Sequence, residues 1–329
     1  MLRLFCIFLL LTGLFTSCGD RNKNVNKQQE SETLLLYSEL DQKFTEDLIS
    51  SFNANNKSNF IVKAIYDLKN EDPLPELLLA EQRTLVTFKL QDKLHSITFA
   101  AGDRLPKEFR DKDSNWYGVF YDPTVFLVNQ QYARTIGQSN IYSWNDLQRN
   151  PNLRIAMENL SDTDSTQNFL GALADHFGES AALNYLWNIH HFVKQYSKFP
   201  FTPIRMTAVG DADIAITRQS YVFKYLENQF PAYVVIPKEG TPVNLYGIAM
   251  LKNSKNNTNA LAFMEWLLAD EKVQAIAQAD ATGYMFLFPR GIKSGAVSVN
   301  NLWLNKNYLT KSSQDALTSK WLEKVRFSH

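Results

Sequence analysis

The 329-residue sequence carries 34 basic and 34 acidic residues, a formal charge of zero, and 45% hydrophobic residues. A neutral chain without a basic stripe is a poor partner for nucleic acid, and this length is enough for two lobes with large cores. Cysteine occurs only at Cys6 and Cys18, too few for a disulfide framework.

Met1-Leu2-Arg3 opens with one positive charge, an apolar run extends from Leu4 to Phe15, and small residues precede Cys18. That is the layout of a secretory signal peptide. The run falls short of the roughly 20 residues of a membrane-spanning helix. A cysteine at the cleavage point resembles a bacterial lipobox, with Phe15 where leucine is usual. The expectation is a leader over 1–17 and lipid on the Cys18 thiol. An uncleaved anchor helix is the alternative, and either puts the body of the protein outside the cytoplasm. Residues 19–32 are polar apart from Val25, so 18–32 reads as a flexible tether.

The folded part opens with Thr33–Tyr37, an apolar run that reads as a strand. Asp41 suits the N-cap of a helix whose apolar positions are Phe44, Leu48, Ile49 and Phe52. Phe60–Tyr66 is a second strand, giving β-α-β and favouring a parallel sheet. Leu77–Leu79 is apolar and leads into an amphipathic stretch through Leu94. Trp116–Asn129 is extended, with Asp122-Pro123 as an interruption. Ser143–Leu147 is a capped short helix, and Leu153–Met157 a strand. Phe169–Phe177 is a helix stopped by Gly178, and Ala181–Phe192 another. Asp213–Thr217, Tyr233–Ile236 and Leu245–Leu251 are strands. Thr258–Ala279 reads as one long buried helix.

Several blocks carry a resemblance. They are Leu36-Tyr37-Ser38 ahead of its helix, Glu76–Gln82 (ELLLAEQ), Phe109–Gly118 (FRDKDSNWYG), Ala208–Thr217 (AVGDADIAIT) and, most specific, Gly240–Ala249 (GTPVNLYGIA). Through them the chain from about Thr33 to Gly291 resembles the ferric-ion-binding branch of bacterial solute-binding proteins, which serve ATP-driven importers. The resemblance implies an α/β, two-lobed type II periplasmic-binding fold with the ligand cleft between the lobes. The implied lobes are 33–115 with 238–290, and 116–237 with 291–329.

In that family two adjacent tyrosines, a glutamate and often a histidine hold ferric iron with a small anion. Phenolate and carboxylate oxygens suit so hard a cation. Carried over residue by residue, Glu81 falls on the glutamate and Gln82 on its anion-contacting neighbour. Tyr221 falls on the second tyrosine, Ser220 replaces the first, Arg218 stands where asparagine is common, and Asp41 falls near the histidine. The implied metal set is Glu81, Tyr221 and Asp41. The implied anion set is Gln82, Ser161, Thr163, Ser165, Arg218 and Ser220, with Ser161–Ser165 before a helix whose free N–H groups suit an anion. Each has a plainer reading: Tyr221 as a packing tyrosine, Glu81 as a solvated carboxylate, Arg218 as a salt-bridge residue.

The expected function is an extracytoplasmic binding lipoprotein of an ABC importer. It would capture ferric iron with a synergistic anion by hinge closure and deliver it as a monomer to a permease. One phenolate neutralises less of the iron's charge than two, and an arginine repels a cation. An anionic small molecule, phosphorylated or carboxylated, is therefore the alternative ligand. The stretch between Tyr66 and Pro75 is shorter than in the family, which motivates a third reading as a sensor or scaffold. His190-His191 point about 100° apart on a helix and do not chelate one ion. Zinc spacing, a phosphate loop and a nucleophile elbow are not legible, so neither an enzyme nor a catalytic cofactor is expected.

Overall fold

The computed structural model describes residues 32–68, 74–135, 141–226, 230–279, 282–287 and 301–328. The expected leader, Cys18 and all of the tether except Glu32 lie outside them, as do residues 69–73 of the short stretch. Glu32 already belongs to the first strand. Among the described residues no helix is long and apolar enough to cross a membrane.

Eleven strands occur among these residues: β1 (Glu32–Ser38), β2 (Phe60–Ile65), β3 (Leu77–Glu81), β4 (Tyr117–Asn129), β5 (Ile155–Glu158), β6 (Val193–Ser197), β7 (Ile214–Arg218), β8 (Ala232–Val235), β9 (Thr241–Met250), β10 (Met285–Phe286) and β11 (Leu302–Trp303). The helices are α1 (Gln42–Asn55), α2 (Gln82–Leu90), the short α3 (Ala100–Asp103) and α4 (Gln130–Thr135), α5 (Asp164–Phe177), α6 (Glu179–His190), α7 (Phe201–Ala208), α8 (Gln219–Leu226), α9 (Asn257–Ala269), α10 (Glu271–Ala279) and α11 (Lys311–Trp321).

The main path through the sheet is β2-β1-β3-β9-β4-β7-β5-β6. Its two ends are parallel, β1 with β2 and β3, and β5 with β6 and β7. Its middle is antiparallel, where β9 lies between β3 and β4. β4 joins the halves. Residues 117–123 of β4 pair with β9, and residues 124–128 pair with β7. Every residue of β4 and β9 is buried. One hydrophobic cluster gathers β1, β3, α1 and α9 around Phe44, Leu78 and Phe263. A second gathers β5, α5, α6 and α11 around Phe126, Leu173 and Trp321.

Asp122-Pro123 does not interrupt β4. Asp122 pairs with Asn244 and Pro123 with Val243, so the strand runs on. The missing proline N–H is tolerated because the partner strand on the other side changes at this point. The long helix expected over Thr258–Ala279 is two helices. Asp270 between them is extended (φ −82°, ψ 132°), and its carboxylate accepts a hydrogen bond from Lys272 N at 2.8 Å, capping α10.

Candidate functional site

The carboxyl ends of β3 and β7 converge on one cleft, and each strand runs directly into a helix. Glu81 ends β3 before α2, and Arg218 ends β7 before α8. Asp41 caps α1 on the same cleft, accepting from Lys43 N at 3.0 Å. The cavity is about 790 Å³, and its wall includes Asp41, Glu81, Ser165, Arg218, Ser220, Tyr221, Lys224, Tyr246 and Tyr284. This is the strand-end position at which open α/β sheets bind ligands.

Arg218 is the hub. Its guanidinium carbon lies 4.0 Å from the centre of the Tyr221 ring. Nη1 is 3.7 Å from Glu81 Oε1 and 3.9 Å from Asp122 Oδ2, and donates to the Tyr246 hydroxyl at 3.4 Å. Glu81 Oε1 also accepts from Ser165 Oγ at 2.8 Å and from the Tyr246 hydroxyl at 3.0 Å. Burial works against the Arg218 charge, but Tyr246, Asp122, Glu81 and Glu158 together hold its pKa above the ordinary arginine value. An arginine so placed stays charged.

Asp122 is fully buried in β4. It accepts from Ser220 N at 3.0 Å and Ser220 Oγ at 2.6 Å. Burial pushes its carboxyl up to about 6, against the opposing pull of Arg218 and of the two Ser220 hydrogen bonds. Burial also raises Glu158 and Glu39. It raises the phenols of Tyr246 and Tyr284 as well, which disfavours a phenolate at either.

The residues expected from sequence divide in three. Glu81, Tyr221, Asp41, Ser165, Arg218 and Ser220 all line the cleft. Of the rest, Thr163 is spent on the capping box of α5 with Thr166, and Ser161 donates to Asp162 Oδ1 at 3.2 Å. Gln82 is buried at the start of α2 and does not line the cleft. Asp41 is committed to Lys224, whose Nζ is 3.1 Å away. Among the described residues no group of three His, Cys, Asp or Glu side chains is arranged to hold a metal ion. Ser220, at the position of the first family tyrosine, turns onto Asp122.

Asp122, Tyr246, Tyr284, Glu158 and Lys224 are residues of the site that escaped the sequence reading. Asp122 left a signal, since a carboxylate inside an apolar strand is the informative exception to burial. Tyr246 lies within the block Gly240–Ala249, but its place opposite Glu81 comes from the β3–β9 register.

The family model described as bacterial extracellular solute-binding protein matches residues 72–312. A Haemophilus influenzae protein described as uncharacterized is 29% identical over 242 residues, covering 69% of this chain and 68% of that protein. Iron uptake protein A2 of Synechocystis is 26% identical over 196 residues, 54% of this chain and 55% of its own length. The match thus spans about half of that iron-uptake relative. Among solved structures, ferric iron-binding protein A of Mannheimia haemolytica, in an open conformation, superposes with a TM-score of 0.74 at 16% identity, over 90% of this chain and 99% of that one. AfuA of Actinobacillus pleuropneumoniae, with exogenous fructose-6-phosphate bound, gives 0.70 at 19% identity, over 90% and 99%. At these identities the superpositions establish a shared fold, the α/β periplasmic-binding fold expected from the sequence.

Proposed function

Because this chain belongs to the family of bacterial extracellular solute-binding proteins, we propose that its cleft captures a small organic anion, phosphorylated or carboxylated, for delivery to the permease of an ABC importer. Family membership, rather than any missing cluster, makes it a binding protein and not an enzyme. The observation that carries the choice of ligand is the position of Arg218. A permanent cation stacks on Tyr221 and stands 3.7 Å from Glu81, the two positions inherited from the iron-binding pattern. A ferric ion between those side chains would face that guanidinium at close range, with carboxylates already committed to protein partners. The same guanidinium favours a phosphate or carboxylate. The solved AfuA complex holds fructose-6-phosphate in the same fold, a ligand of the proposed class.

In this reading the chain forms two lobes, 33–115 with 238–290 and 116–237 with 291–329, each around one of the two main hydrophobic clusters. Trp116–Tyr121, Leu302 and Leu304 nevertheless pack in the first cluster, so the crossing along β4 falls beyond residue 121. Hinge closure across β4 and β9 buries the solute. Lipid on Cys18 and the polar tether hold the protein near its permease and raise its local concentration there.

Ferric iron with a synergistic anion is the second reading. It is favoured by the convergence of Glu81, Tyr221 and Asp41 on one cleft and by the iron-uptake relative. Calorimetric titration with hexose phosphates, citrate and ferric citrate separates the two. Heat with iron-free anions and no phenolate-to-iron absorption band is expected. Heat only with the ferric complex, with that band, would overturn the organic-anion reading.

A further inference from the structure

Behind Arg218 lies a second chamber of about 30 Å³, which shares only Arg218 and Ser165 with the main cleft. Ser165 and Thr166 on its wall are hydrogen-bonded to protein partners, but part of the polar wall is left unpaired. Arg218 Nε, Thr217 Oγ1 and Asn244 Nδ2 are buried and make no hydrogen bond among the described residues. Thr217 is 3% exposed and Asn244 6%. Asn168 Nδ2 donates to Asn244 Oδ1 at 2.7 Å, which fixes that amide and leaves Nδ2 as a free donor. Glu158 completes the polar side. Buried polar atoms are nearly always paired, so three orphans around one chamber mark a place for an occupant.

The chemistry of the wall selects that occupant. An ammonium group would meet the donors Arg218 Nε and Asn244 Nδ2 with nothing to accept from them. A phosphate or carboxylate would face the Glu158 carboxylate on the same wall, an anion against an anion. A hydroxyl has both functions this wall asks for, an acceptor for Arg218 Nε and Asn244 Nδ2 and a donor for Glu158. Leu160, Phe169 and Ile216 offer an apolar face for the carbon that bears it.

We propose that this chamber is an inner subsite for a neutral hydroxyl of the solute, so that the ligand is a polyhydroxylated anion bound with its hydroxylated end inward and its anionic group in the main cleft. The inference rests on the reading of the cleft as an organic-anion site and adds the ligand's second chemical feature. It also reconciles one guanidinium with several carboxylates. The inner end recognises hydroxyls, for which carboxylates are good acceptors, and the anion stays in the main cleft, between the Nη side of Arg218 and Lys224.

The test is a calorimetric comparison on the full chain. Hexose 6-phosphates and gluconate are titrated against inorganic phosphate and acetate, and then each tight binder against its mono-deoxy analogues. At least one hydroxylated probe is expected to bind a hundredfold or more tighter than the bare anion, with one deoxy analogue at least tenfold weaker. T217V and E158Q are each expected to lower the ratio of hydroxylated to bare-anion affinity at least tenfold. The wild-type deoxy series keeps the test decisive if either variant folds poorly. Bare anions binding as tightly as hydroxylated ones would overturn the inner subsite and leave the organic-anion reading standing. So would a liganded crystal structure with a water in the chamber and no ligand hydroxyl. Binding of ferric citrate alone would overturn both.

Discussion

The guanidinium of Arg218 lies 4.0 Å from the centre of the Tyr221 ring, face on. This contact joins the end of β7 to the first turn of α8 and sets the electrostatic sign of the cleft. It ties the one tyrosine inherited from the iron-binding pattern to a cation. Whatever enters the cleft meets both together.

Replacing Arg218 separates its two roles. R218M is expected to lower affinity for an organic anion at least about a hundredfold, the order seen when a buried charge partner is truncated. R218K keeps a charge but loses the guanidinium over the Tyr221 ring and should fall between wild type and R218M. R218M should also destabilise the fold by about 3–5 kcal/mol near neutral pH, because Glu81, Asp122 and Glu158 lose their counter-ion. Calorimetry and urea unfolding read these effects. Unchanged anion affinity in R218M would remove Arg218 from the site.

The affinity should depend on pH in a direction that tells an anion from a metal cation. Asp122 titrates at about 6 because it is buried. An anion beside Arg218 adds negative charge near Asp122 and raises that value further, so binding takes up a proton. Affinity for an organic anion is expected to rise as pH falls through 6, and D122N should flatten the curve. Ferric iron would behave oppositely, since protons compete with it for carboxylate and phenolate. Titrations at pH 5, 6, 7 and 8 decide the sign.

Stability should carry the same signature without ligand. The folded pKa of Asp122 is raised from 3.8 to about 6, so between these values the native state binds more protons than the unfolded chain. Stability therefore falls as pH rises through this window. The full shift corresponds to about 3 kcal/mol. Glu158 and Glu39, raised by burial as well, act in the same direction. D122N should remove the Asp122 part of the slope in urea titrations from pH 4 to pH 7. A slope unchanged in D122N would show that Asp122 ionises normally in the folded protein.

The crossing of the central strands gives a packing prediction. Gly247 in β9 pairs with Ala80 on one side and Gly118 on the other. A Cβ there would stand 2.8 Å from the Tyr117 carbonyl oxygen and 2.8 Å from Leu85 Cδ1. The backbone contact cannot yield without shifting β4, so G247A should cost about 1–3 kcal/mol and lower the melting temperature by several degrees. It should loosen ligand binding too, since β9 carries Tyr246 and Asn244 into the site. Wild-type melting and affinity in G247A would contradict this packing.

Much of the architecture was legible because it is written locally. The apolar runs of β1 and β3, the Asp41 cap and the Gly178 stop are each set by a few adjacent residues. Asp122-Pro123 misled because proline argues against a central strand, and only the change of pairing partner along β4 lets it stay. The break at Asp270 was hidden because apolar residues continue on both sides of it. In the site, Glu81, Arg218, Ser220 and Tyr221 were legible through the family resemblance, which carries over well where strands end and helices begin: Glu81 and Arg218 close β3 and β7, and Ser220 and Tyr221 lie in the first turn of α8. Tyr246 opposite Glu81, and Asn244 opposite Asp122, depend on registers between strands more than 100 residues apart. No short window of sequence contains those pairings. The inner chamber is further removed, since it exists only where β5, β7, α5 and β9 meet.

The most direct test of the central claim is to identify what the protein carries when purified, without denaturation, from its native host. Released small molecules would be identified by mass spectrometry and iron measured on the same sample. The expected result is a hydroxylated phosphate or carboxylate in near-equimolar amount, with little iron and no phenolate-to-iron colour. Equimolar ferric iron with that colour and no organic solute would contradict the claim.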